Sequence, residues 1–178
     1  MNNTNGTNKS SSVAKRVAYG GIVNLLILVS VYFASILPTN KLFFFGLSSI
    51  FLAFIVIEFG VKFAILNYLS SVFLLLIMIH NKLTLIPYIL FFGYYAIVKY
   101  YVERINNLVL EWFIKLSIFN IVMYLIYFIA DKLLLSELKI KIPIWIIILI
   151  AEGIFIIYDY AFSIGIAYYN NKIRNRII

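Results

Sequence analysis

Glu152 and Asp159 are the side chains best placed to do chemistry: two carboxylates one heptad apart in an otherwise apolar run that opens at Pro143. At a rise of 1.5 Å per residue, Glu152 lies about 15 Å along that helix, near the middle of a bilayer core of roughly 30 Å. An ionised carboxylate at that depth is costly unless water or a cation sits beside it. Glu152 therefore either lines a solute cavity or pairs within the bundle. Asp159, flanked by Tyr158 and Tyr160, suits gating or internal pairing with a tyrosine hydroxyl or a lysine. The other polar side chains inside apolar runs are Asn24, Asn67 and Asn120. Amides of this kind are common interhelical hydrogen-bond anchors. Asn24 and Asn67 stand beside Glu152 as the candidate solute-binding residues. The cavity expected from Glu152 opens toward the outer face, between the sixth helix, the first helix and the 38–41 loop. An acceptor-only carboxylate there would select a solute with a cationic or hydrogen-bond-donating group.

Other chemistries are excluded or unsupported. The chain has no cysteine and one histidine, His80, which rules out disulfides, thiolate nucleophiles and a His/Cys metal cluster. It carries no G-x-x-x-x-G-K-[ST] phosphate loop, no H-E-x-x-H and no G-x-S-x-G. The expectation is no catalytic residue, no metal and no cofactor. A protein of this kind that moves a solute uphill draws on an ion gradient or on a separate ATPase.

The elements that position these residues are membrane helices. Of the 178 residues 64% are hydrophobic and 12% charged, with a mean hydropathy of +1.01, whereas charged residues approach a quarter of a soluble domain. Apolar runs long enough to span recur from Val17 to Tyr168. They predict an all-α bundle of about six transmembrane helices over residues 13–178, after a polar tail without regular structure at 1–12. The expected spans are 17–37, 42–57, 63–79, 83–102, 110–135 and 143–168, with a tight turn at 58–62 around Gly60 and a connection at 136–141. Glu111 and Lys115, four apart at the entry to the fifth helix, are spaced to pair near the headgroups. Trp112, Trp145 and Tyr168 suit the interfacial aromatic belts. The net charge of +8 falls between apolar runs rather than on a basic face, which argues against nucleic acid. With the N-terminus inside, ten of the fifteen Lys and Arg residues fall in or next to cytoplasmic loops, among them Lys62, Lys99, Arg104 and Lys115. Lys41, Lys82, Lys132, Lys139 and Lys141 fall outside, so the positive-inside rule predicts a multi-pass cell-membrane protein with both termini cytoplasmic. No repeated halves and no interrupted helices are legible.

Ala14, Ala18 and Gly21 form a small-residue stripe at i, i+4 and i+7, the pattern that lets helices approach closely in lipid. The surrounding segment, Val13-Ala14-Lys15-Arg16-Val17-Ala18-Tyr19-Gly20-Gly21, resembles the basic entry into the first helix of the S components of energy-coupling-factor (ECF) transporters. The segment Glu58-Phe59-Gly60-Val61-Lys62-Phe63-Ala64 is similar to that family's glycine-centred turn, with Val61 where the family usually has proline. The likeness covers the first eighty residues by motif and the remainder by topology. It implies a membrane subunit that captures a vitamin-like small molecule. It also implies docking through Ala14, Ala18 and Gly21 onto a membrane coupling subunit served by ATPase subunits. No motif for a particular vitamin is present. Rod-shape-determining membrane proteins resemble the same architecture without transport, so a non-transport envelope scaffold is the alternative.

Overall fold

The computed structural model describes residues 4–133 and 143–174. The expected connection at 136–141, with Lys139 and Lys141, lies outside the described residues, as do residues 1–3 and 175–178. Within the described residues the chain is an all-α bundle without strands. Six segments are long and apolar enough to cross a membrane. They are built on α1 (Thr4–Ile36), α2 (Lys41–Phe59), α3 (Val61–Met78), a composite fourth span (Lys82–Val102), α5 (Leu108–Leu133) and α6 (Ile144–Tyr168). The chain is a multi-pass membrane protein. Helical backbone already begins at Thr4, where the sequence suggests an irregular tail, and the apolar part begins at Val13.

The helices are apolar on every side, as bilayer spans are. On α1, Val23, Ile27, Val31 and Ala34 are buried in the core while Ile22, Leu25 and Val29 face outward. The turns follow local chemistry. Gly60 is the single residue between α2 and α3, at φ 83° and ψ 170°, a region open essentially only to glycine. Asn40 enters α2 in the left-handed region at φ 65°, which asparagine tolerates better than most residues. Lys82 Nζ donates to the carbonyls of Leu76 and Ile79, satisfying acceptors that the end of α3 leaves free. Alternation of the spans gathers Val13, Gly60, Val102 and Leu108 at one end of the bundle, called here the N-terminal end. The 37–40 and 79–81 loops lie at the opposite end.

The fourth span departs from the uninterrupted helix expected at 83–102. It comprises a 3-10 turn (Lys82–Leu85), a π-helical turn (Tyr88–Phe92) and α4 (Tyr95–Val102). Pro87 has no N–H for the regular ladder, and the Gly93 N–H reaches back five residues to the Tyr88 carbonyl at 2.7 Å. Carbonyls loosened in this way would be costly in lipid. Side-chain hydroxyls take them: Tyr68 Oη donates to Ile89 O at 2.7 Å, Tyr94 Oη to Leu90 O at 2.5 Å and Ser49 Oγ to Phe92 O at 2.5 Å. Gly93 is required by close approach. A Cβ there would lie 2.5 Å from the Tyr68 ring and 2.8 Å from the Tyr88 carbonyl oxygen.

Candidate functional site

Asp159 is the centre of a buried ionic network. Its Oδ1 accepts from Tyr95 Oη at 2.5 Å and from Lys99 Nζ at 2.5 Å, and its Oδ2 from Lys115 Nζ at 3.0 Å. Lys99 also bridges Glu103 at 2.6 Å, and Lys115 bridges Glu111 at 2.7 Å and Glu103 at 3.3 Å. Both lysine side chains are 1% exposed and that of Asp159 is 5%, while Glu103 is 40% exposed and Glu111 23%. The arrangement grades from fully buried charge at α6 to half-wetted carboxylates at the N-terminal end. Three donors on one carboxylate are what a buried anion needs to persist in low dielectric. The Lys99 and Lys115 ammonium groups also lie 5.7 Å from the Phe162 ring centroid and 5.4 Å from that of Trp112.

Two expectations change here. Lys99 and Lys115 are not loop charges, because each aliphatic stem runs inside the bundle and delivers its ammonium to Asp159. Without them the Lys and Arg count falls from ten to eight against five. The Glu111–Lys115 pair does form, with its lysine buried inside the bundle. The network had a sequence signal: Lys99/Glu103 and Glu111/Lys115 are two i,i+4 pairs on successive spans, at the depth of a lone aspartate on a third.

Glu152 lies elsewhere. Its Oε1 accepts from Asn120 Nδ2 at 2.9 Å, an α5–α6 contact. Asn24 Nδ2 donates to Ser70 Oγ at 3.1 Å and Asn67 Nδ2 to Gly20 O at 3.3 Å, both between α1 and α3. These contacts are all interhelical: Asn24 and Asn67 share the α1–α3 interface, whereas Glu152 lies at the α5–α6 contact, so the three candidate binding residues do not converge on one site. Ala14, Ala18 and Gly21 are exposed on α1, and a Cβ built on Gly21 meets nothing within 4 Å.

Two hollows flank the Asp159 network. Toward the opposite end of the bundle is a cavity of about 330 Å³, lined among others by Pro87, Phe91, Phe119, Ala151, Phe155 and Tyr158. It lies between α2, the fourth span, α5 and α6. Neither α1 nor Glu152 lines it, in contrast to the cavity expected from the sequence, because Glu152 turns to Asn120. Its floor is aromatic: Phe119 stacks on Phe155 at 4.6 Å and 12°, and Phe91 packs 5.0 Å from Tyr95 and 5.8 Å from Phe155. Toward the N-terminal end is a cleft of about 440 Å³, lined by Ala53, Gly60, Ala96, Lys99, Glu103 and Asn170 among others.

The fold and the site define a six-span membrane protein with an ionic core and an apolar cavity above it. The chain matches no protein-family model, no curated protein and no solved structure, so its function is argued from this geometry.

Proposed function

We propose that the chain is a membrane-embedded solute-binding subunit of an ECF-type importer, taking a small micronutrient and handing it on once a coupling subunit and ATPases engage. The observation that carries this reading is the preformed cavity of about 330 Å³, within the size range of small-molecule sites. Its lining side chains are aliphatic and aromatic, with one tyrosine and no charge. The part of the solute held there is an uncharged ring or chain, and Glu152 contributes through Asn120 and the α5–α6 packing rather than by contact. A docking role for α1 draws support from the outward placement of Ala14, Ala18 and Gly21. The predicted topology, with both termini cytoplasmic, would place the cavity toward the exterior side of the bundle.

Mass spectrometry of small molecules retained by the purified protein tests the reading, with Phe155→Ala as the comparison. Removing a ring from the stacked Phe119/Phe155 wall should abolish retention of whatever co-purifies with the wild type. Equal retention by the two proteins, or lipid alone in both, would overturn the proposal and leave the envelope-scaffold alternative.

A further inference from the structure

The two hollows lie along the same three segments. On the fourth span the cavity is lined by Phe91 and Phe92 and the cleft by Ala96 and Lys99; on α6 the boundary falls between Tyr158 and Ile166; on α2 it falls between Leu42 and Ala53. From Phe92 to Ala96 is four residues, or about 6 Å of helix rise. The same rise gives about 12 Å between Tyr158 and Ile166 on α6 and about 16 Å between Leu42 and Ala53 on α2, so a layer one to three helical turns deep separates the cavity, toward one end of the bundle, from the cleft, toward the other. Tyr95, Tyr158 and Phe162 form its aromatic part, with ring centroids 5.3 Å (Tyr95–Tyr158), 5.6 Å (Tyr95–Phe162) and 5.8 Å (Tyr158–Phe162) apart. The Tyr95–Asp159–Lys99 contacts form its polar part.

The layer also adjoins the irregular part of the fourth span. The regular ladder of the fourth span gives way to a π turn and a two-residue turn at Pro87–Tyr94, immediately on the cavity side of Tyr95, where α4 begins. Pro and π-bulges are where long helices kink, and π-bulges are frequent at functional sites. Against this, α2 and α6 approach closely at the layer: a Cβ on Gly46 would lie 3.1 Å from the Tyr158 ring. Helix 2 is thus seated against the aromatic layer but makes no charged contact with Asp159.

We infer that this chain contains its own gated solute route between α2, the fourth span and α6, with the Tyr95–Asp159–Lys99 layer as the gate and Pro87–Tyr94 as its hinge. The inference rests on the solute-binding reading but goes beyond it, since a capture subunit need only hold a solute, whereas a route lets the solute leave by the opposite end. When the Asp159 contacts part, α4 swings with Tyr95 and Lys99, and the cavity joins the cleft. Lys115, bound to Asp159 through the other carboxylate oxygen, keeps α5 with α6 during that motion. Glu103 and Glu111 hold the lysines on the cleft side.

The chain lacks cysteine, so single thiols report access without background. Ala151→Cys reports the cavity and Ile57→Cys the cleft. In sealed vesicles, a membrane-impermeant maleimide should label Ala151→Cys from one face only and Ile57→Cys from the other. Adding Asp159→Asn should raise wrong-face labelling of both several-fold. Tyr95→Phe, which keeps the ring and loses one hydrogen bond, should raise it less, and decides the matter if Asp159→Asn does not fold. Labelling that stays one-sided in every variant that folds would overturn the gate and make the network a fixed staple. Because the assay uses no solute, that result is separable from a failure to retain one.

Discussion

Lys115→Met is the most informative single perturbation of the ionic core. Lys115 Nζ contacts Asp159, Glu111 and Glu103 at 3.0, 2.7 and 3.3 Å, so its removal takes this lysine from Glu111 and leaves Asp159 and Glu103 to share the one remaining ammonium of Lys99. The cost follows from burial. The Lys115 and Asp159 side chains are 1% and 5% exposed, and deleting one partner of such a pair typically costs about 3–5 kcal/mol, because the other charge stays buried without compensation. Asp159 keeps Lys99 and Tyr95, which places the expected loss toward about 3 kcal/mol on that scale. Glu111 supplies the contrast. It is 23% exposed and bonds the same lysine at i,i+4, and exposed pairs of that spacing contribute about 0.3–0.5 kcal/mol. Glu111→Gln should therefore cost less than about 1 kcal/mol. Reversible unfolding of both variants in bicelles, referred to the wild type, measures the two numbers. Equal losses for the two substitutions, or a loss below about 1 kcal/mol for Lys115→Met, would refute the picture of a desolvated network graded toward water.

Gly93→Ala should destabilise by about 1–3 kcal/mol, the usual cost of overpacking, because the new methyl would meet the Tyr68 ring and the fixed Tyr88 carbonyl; thermal unfolding of the purified protein checks it. Tyr68→Phe should cost about 0.6–1.7 kcal/mol, the range of interhelical hydrogen bonds in membranes, by freeing the Ile89 carbonyl, and faster amide exchange in the fourth span would be its signature. Ala14→Leu with Ala18→Leu should leave stability within about 0.5 kcal/mol, since both positions face outward, while abolishing copurification with a coupling subunit. Unchanged copurification would remove α1 as the docking face.

The bundle was legible in the sequence because membrane spans are written in composition. Long apolar runs, Pro38 and Gly60 set the helices and their first turns, and the observed bounds of α2, α3 and α6 fall within a few residues of those expected. The interruption at Pro87–Tyr94 was not legible, because a proline in a first turn is ordinarily harmless. What tips the balance is tertiary: Tyr68 and Ser49, on α3 and α2, supply the hydroxyls that make the broken ladder tolerable. Asp159 was legible as a residue that needs a partner, but the identity of that partner was not. Lys99 and Lys115 sit near the ends of their spans, where charge is normally read as loop charge, and only packing shows their stems running inward. Glu152 was likewise legible as a carboxylate that needs a partner, but depth along a helix says nothing about azimuth, and its azimuth brings it to Asn120.

Stability alone gives no reason to keep two lysines and an aspartate in this place. Replacing a buried ionic triad by well-packed apolar side chains of similar volume is often neutral or stabilising, and the neighbours here, Phe155, Phe162 and Tyr158, are already suited to an apolar core. Interhelical packing is likewise met by the aromatic contacts around Tyr95. What an ion network provides that phenyl rings do not is two discrete states, paired or parted, since a partly separated buried pair is worse than either. The network also lies where two such states matter, one helical turn beyond a broken span and between two hollows that face opposite ends of the bundle. Glu103 and Glu111, half wetted at the rim, can follow the lysines toward water when the network parts, which lowers the cost of that second state relative to baring an ammonium in hydrocarbon. The placement of charge is thus better accounted for by motion than by cohesion.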